Sequence, residues 1–192
     1  MKTFKVLFFT ICFTFLFFIN SSKAQLDVTI NPIALLFGNF DVAADYVLSE
    51  KLSVEGAIGL QFGNSNLLDD EFKYFGIPIT VFGKYYFNPN RGADKFYVDA
   101  WVRLVSRNYS YESANNSSFF SDYTQTRLGI GFGIGYKVVS SGNFVFDIGL
   151  GGGRALLDKT KYQDSSGNNE SVDWPGIMFV GKLAVGYRFG GG

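Results

Sequence analysis

The chain has 192 residues, 17 basic and 17 acidic side chains, one cysteine and no histidine. The missing histidine excludes a Ser-His-acid mechanism and imidazole metal ligation, and the lone cysteine excludes an internal disulfide. The even charge balance gives no electrostatic reason to expect nucleic acid as a partner, and no motif calls for a cofactor.

In chain order, the first element is a leader. Lys2 and Lys5 precede an apolar run from Val6 to Ile19, and polar residues then lead to Ser22-Lys23-Ala24, a small-x-small pattern. The run has the length of a secretory h-region and falls short of the roughly 20 residues that cross a bilayer as a helix. The expected division is a signal peptide over 1–24, cleaved after Ala24, and one domain over 25–192. Cleavage removes Lys2, Lys5, Lys23 and Cys12 and leaves acids in excess.

Eight alternating segments follow, over about 26–37, 39–48, 52–63, 73–87, 95–108, 123–138, 144–157 and 174–189. The third sets Leu52, Val54, Ile58, Leu60 and Phe62 against Ser53, Glu55, Ala57, Gly59 and Gln61. In the fifth, Phe96, Val98, Ala100, Val102 and Leu104 oppose Tyr97, Asp99, Trp101 and Arg103. The seventh sets Phe144, Phe146, Ile148 and Leu150 against Val145, Asp147, Gly149 and Gly151. A sustained period of two is a strand signal, and no segment carries a competing helical period. Connections alternate in length. Those at 64–72, 109–122 and 158–173 are long and polar, while those near 49–51, 88–94 and 139–143 are short turns. An even number of strands with this asymmetry predicts an all-β, eight-stranded antiparallel up-and-down transmembrane barrel.

Alternation alone does not say which face is inside, but volume does. An eight-stranded barrel has an interior just wide enough to be filled by side chains. Eight faces rich in Phe, Ile and Leu would overfill it and leave glycine and alanine as a coat. With the large apolar face outward to lipid, Gly129, Gly131, Gly133, Gly135, Gly149 and Gly151 lie inside and leave room for long polar side chains. The same parity sends Asp41, Asp45, Glu55, Asp99 and Asp147 inward together with Lys84, Arg103, Arg127, Lys137, Lys182 and Arg188. In a narrow, poorly solvated interior such charges must largely pair. Outward aromatics collect beside the short turns (Tyr46, Tyr85, Phe87, Phe96, Tyr136, Phe144, Tyr187, Phe189), and Phe37, Phe40, Phe62, Phe75 and Trp174 lie toward the opposite ends. Two aromatic girdles around an apolar band are what a bilayer selects.

The pattern over about 26–189 resembles the small eight-stranded outer-membrane barrels such as the OmpA membrane domain and OmpX-like proteins. Asn31-Pro32-Ile33, Gly38, Asp45-Tyr46 and Leu52-Ser53-Val54-Glu55 also look like barrel families frequent in Bacteroidetes. The ending VGYRFGGG is similar to the alternating aromatic signal read by the barrel-insertion machinery, and departs from it in the three glycines after Phe189. The resemblance implies the bacterial outer membrane as location, with outer-membrane lipid or lipopolysaccharide and the insertion machinery as partners.

The acids Asp69-Asp70-Glu71 read as a solvated loop tip rather than a metal site, and the glycines around Gly149 lack the Lys-Ser/Thr of a phosphate loop. The connection 109–122 mixes Tyr, Asn and Ser with Phe119-Phe120, a composition suited to a surface partner. The expected function is a non-enzymatic structural or surface-interaction barrel with paired charges filling its interior. The alternatives are a narrow channel or transporter for a small solute and a soluble, lipid-carrying barrel.

Overall fold

A computed structural model describes residues 25–67, 70–112, 123–163, 169–173 and 176–190, so the leader over 1–24 lies outside the described residues. The strands are β1 (Gln25–Ile30), β2 (Asn39–Ser49), β3 (Leu52–Leu67), β4 (Asp70–Tyr86), β5 (Lys95–Glu112), β6 (Tyr123–Val139), β7 (Phe144–Gln163), β8 (Asn169–Asp173) and β9 (Ile177–Phe189). Each pairs antiparallel with its neighbours. Because β1 pairs with both β2 and β9, and β7 with both β6 and β9, the sheet closes into a ring. β8 and β9 lie in line against successive parts of β7, so together they make one interrupted stave. The result is the expected eight-stave, up-and-down ring, closed by β1–β9, β9–β7 and β7–β6, with the short β8 paired to β7 alone.

The two faces follow the parity of the sequence. On β5, Tyr97, Trp101 and Val105 are buried inside, while Val98, Val102 and Leu104 are exposed outside. The outer surface carries Phe132 (75% exposed), Phe179 (72%), Ile177 (71%) and Leu150 (68%) within a belt of Ile, Leu, Val and Phe from every stave. A continuous apolar belt on this scale would be a liability on a soluble monomer and suits hydrocarbon. At the end bearing both termini, Tyr85, Phe87 and Phe96 stack as one exposed group, and Phe144, Tyr187 and Phe189 as another. Toward the other end Phe62 and Phe75 face out as register partners. Trp174 and the side chain of Phe37 lie outside the described residues.

Several sequence boundaries need correction. The first strand was expected to reach residue 37 and stops at Ile30, after which Pro32–Phe37 forms a 3-10 turn. Pro32 has no N–H to give to a ladder and presets a helical φ. Gly38 then reverses the chain at φ +67, where an L side chain would be strained and would meet the carbonyl of Phe62. The connection expected over 64–72 is mostly ladder, continuing to Leu67↔Asp70. β5 likewise runs to Glu112 and β7 to Gln163, and β8 lies within the expected 158–173 loop. Beyond the apolar band a strand needs no hydrophobic face, so the alternation that marks it disappears while its backbone pairing goes on.

Candidate functional site: the barrel interior

The interior is organised in rows across strands. Moving along β5, Tyr97, Asp99, Trp101 and Arg103 stand opposite Gly135, Gly133, Gly131 and Gly129 of β6. Those glycines in turn pair with Gly149, Gly151, Gly153 and Ala155 of β7. Each large inward group of β5 thus faces two strands with almost no side chain. A Cβ on Gly151 would stand 2.8 Å from the Trp101 indole nitrogen, and one on Gly149 would stand 2.7 Å from the Tyr97 hydroxyl. The glycines make space, as expected, but aromatic rings, Asp99 and, over Gly129, Met178 take that space rather than long polar chains. Trp101 packs with Val105, Ala155, Met178 and Val180 into an apolar layer that joins β5, β7 and β9, with Phe82 of β4 against it.

Between this layer and the termini lies a continuous ion-pair network. Arg188 (β9) holds Asp27 (β1) through Nε at 2.6 Å and Nη2 at 2.8 Å. Lys137 (β6) bridges Asp27 at 2.9 Å and Asp45 (β2) at 2.5 Å. Lys84 (β4) contacts Asp45 at 3.2 Å, Glu55 (β3) at 2.6 Å and Asp147 (β7) at 3.1 Å. Lys182 (β9) closes the circuit on Glu55 and, at 2.7 Å, on Asp147. From β5, Tyr97 donates its hydroxyl to Asp147 at 2.8 Å, and Tyr86 of β4 donates to Asp45 at 3.4 Å. Every stave therefore contributes a side chain. Asp27, Asp45, Glu55 and Asp147 are matched by Lys84, Lys137, Lys182 and Arg188, and all are buried except Lys182, which is partly so. Matching four acids with four bases is what makes buried charge tolerable.

At the end with the termini, the segment joining β4 to β5 folds across the barrel. Asn90 and Arg91 donate their amides to Asp94 Oδ1 at 2.5 and 3.2 Å, which sharpens the turn. Ala93 is buried against Tyr86 and Tyr97, and its amide bonds to Glu50 O at 2.7 Å. Arg188 reaches the same segment, donating to the carbonyls of Arg91 (2.8 Å), Gly92 (2.5 Å) and Ala93 (3.3 Å).

Among the sequence candidates, Asp45, Glu55, Lys84, Lys137, Asp147, Lys182 and Arg188 come together in this network, and Asp41, Asp99, Arg103 and Arg127 do not. Asp99 points inward over Gly133 with Oδ1 free of hydrogen bonds among the described residues. Asp41 accepts the Asn31 amide at its backbone carbonyl (3.0 Å), and its side chain lies over Gly59. Arg127 pairs with Asp158 at 2.8 Å, above the apolar layer.

Two participants escaped sequence reasoning. Asp27 carries a simple signal, since Leu26, Val28 and Ile30 put it on the inward parity. Asp158 carries none. Register passes from Leu128↔Leu157 to Gly129↔Ala155, so Leu156 is an unpaired bulge that switches the parity of β7 and turns Asp158 inward.

A family model described as a protein of unknown function (DUF3575) matches residues 7–187. Nothing among curated proteins matches the chain. Among solved structures, the chain is similar to a major outer membrane protein from Thermus thermophilus, with a TM-score of 0.60, 13% identity, and coverage of 88% of this chain and 100% of that one.

Proposed function

We propose that this chain, which belongs to the DUF3575 family, is a non-enzymatic barrel of the bacterial outer membrane whose interior is sealed and whose role is structural or surface-interacting. The observation that carries the reading is the ion-pair network to which every stave contributes. It lies between the Trp101 layer above and the 87–94 segment below. A pore would need a wet, continuous path; here the groups across the barrel are bonded to one another. The apolar outer belt, the aromatic end and the fold shared with an outer membrane protein support the location. In this reading residues 1–24 are a secretory leader, the end with the termini faces the periplasm, and the connection 109–122 meets the outside. Outer-membrane lipid or lipopolysaccharide surrounds the belt, and the insertion machinery assembles it.

The test is conductance. The refolded protein should leave a planar bilayer silent, and steady unitary currents would favour the solute channel. Outer-membrane fractionation, heat-modifiable gel mobility and a mature N-terminus at Gln25 are expected in cells. Recovery from the soluble periplasm would overturn the assignment.

A further inference from the structure

The interior above the Trp101 layer has a different charge balance from the network below it. Arg103 and Arg107 stand four residues apart on the inward face of β5. Arg127 on β6 is the register partner of Val105, so it sits at the height between them. This sets three guanidiniums at neighbouring heights on one wall. The acids facing them among the described residues are Asp41 and Asp158, and Asp158 is held by Arg127. Among the described residues, Arg107 contacts side chains that are neutral. It crosses Gly76 to give its Nε proton to Gln61 Oε1 at 2.9 Å and lies 5.9 Å from the centre of the Tyr74 ring. Arg103 has no ion pair among the described residues.

Paired charges fill the lower interior because unpaired ones are costly there. Three guanidiniums facing two carboxylates among the described residues leave one positive charge on an inward wall, and that cost is open for a ligand to offset. Guanidinium forks match the two oxygens of a carboxylate or phosphate better than any other side chain. We propose that the mouth of the barrel opposite the termini is a cup for an oxyanion, the carboxylate or phosphate group of a small solute, held by Arg103, Arg107 and Arg127. The inference rests on the sealed-barrel reading only in that the Trp101 layer and the ion-pair network give the cup its floor.

The full chain, refolded in uncharged detergent micelles at low salt, is titrated calorimetrically with inorganic phosphate and, in a second arm, with citrate. Saturable binding of at least one is expected, weakened by added sodium chloride as the field is screened. Arg107→Gln should weaken it about tenfold or more through loss of one charge-assisted contact. Arg154→Gln, which removes an exposed outward arginine of β7, should bind like the parent. The two arms rank phosphate against carboxylate chemistry. Arg107 is half-buried, so its variant keeps the fold, which heat-modifiable mobility verifies before titration. Absence of saturable binding in both arms, or equal binding by Arg107→Gln and the parent, overturns the cup. A silent bilayer combined with either result leaves the sealed barrel standing.

Discussion

Tyr97 on β5 reaches Asp147 on β7, two strands away, and donates its hydroxyl to Oδ1 at 2.8 Å. The strand between them is β6, and the residue it presents at that point is Gly135. A Cβ there would overlap the phenol ring, so the bond exists because the intervening position has no side chain. Glycine weakens a strand by its backbone entropy. Here the loss is offset by a contact that ties β5 into the ion-pair network.

Gly135→Leu should therefore lower stability by about 1–3 kcal/mol through overpacking, with the Tyr97–Asp147 bond broken. Ile134→Leu, one residue away on the outer face, should change almost nothing because lipid accepts either shape. Urea titration of the two variants in micelles checks the pair, and the opposite ordering would mean that inside and outside are exchanged.

On the same outer face, Phe132→Arg places a charge in the apolar belt. A basic residue near mid-bilayer costs roughly 2–4 kcal/mol on a barrel. Folding into bilayers should be impaired more than folding into small micelles, whose surface lies closer. Equal folded fractions in both would place Phe132 outside the hydrocarbon.

Lys84→Met removes the cation shared by Asp45, Glu55 and Asp147. Lys137, Lys182 and Arg188 remain, but the acids then outnumber the bases. Breaking such a buried pair costs on the order of 3–5 kcal/mol, less where water reaches. Lys51→Gln, in the exposed β2–β3 turn, is the control and should leave the urea midpoint in place. Coincident midpoints would show that the network does not hold the barrel.

Arg188→Ala should release the 87–94 segment, because one guanidinium holds the carbonyls of Arg91, Gly92 and Ala93. Trypsin should cut after exposed Arg91 faster in the variant than in the parent, while the strands stay protected. An unchanged cleavage rate would mean that the segment is held by its Asp94 turn and the Ala93–Glu50 bond alone.

Arg127 and Asp158 form a pair separate from the network, at half-exposed and buried positions respectively. A double-mutant cycle with Arg127→Ala and Asp158→Ala should give a coupling of about 0.5–3 kcal/mol, the range for residues in direct contact. Zero coupling would place Asp158 on the outer face and remove the bulge.

Strand number, the closure implied by an even alternating set, and the face that turns outward were all legible in the order of residues. They rest on a period of two and on volume. Parity assigns Lys84 or Lys137 inward without knowing a neighbour, and no packing of eight Phe-rich faces fits inside so narrow a ring. The partners were not legible. Which acid Lys84 meets depends on register across four strands, and a single bulge at Leu156 was enough to turn Asp158 from outside to inside. The ladders beyond the apolar band were also hidden, because backbone hydrogen bonds join Leu67 to Asp70 without needing any pattern of side chains. Local periodicity reports what each strand shows to its two faces. Only the closed ring sets Tyr97 across Gly135 from Asp147 and gathers Arg103, Arg107 and Arg127 on one wall.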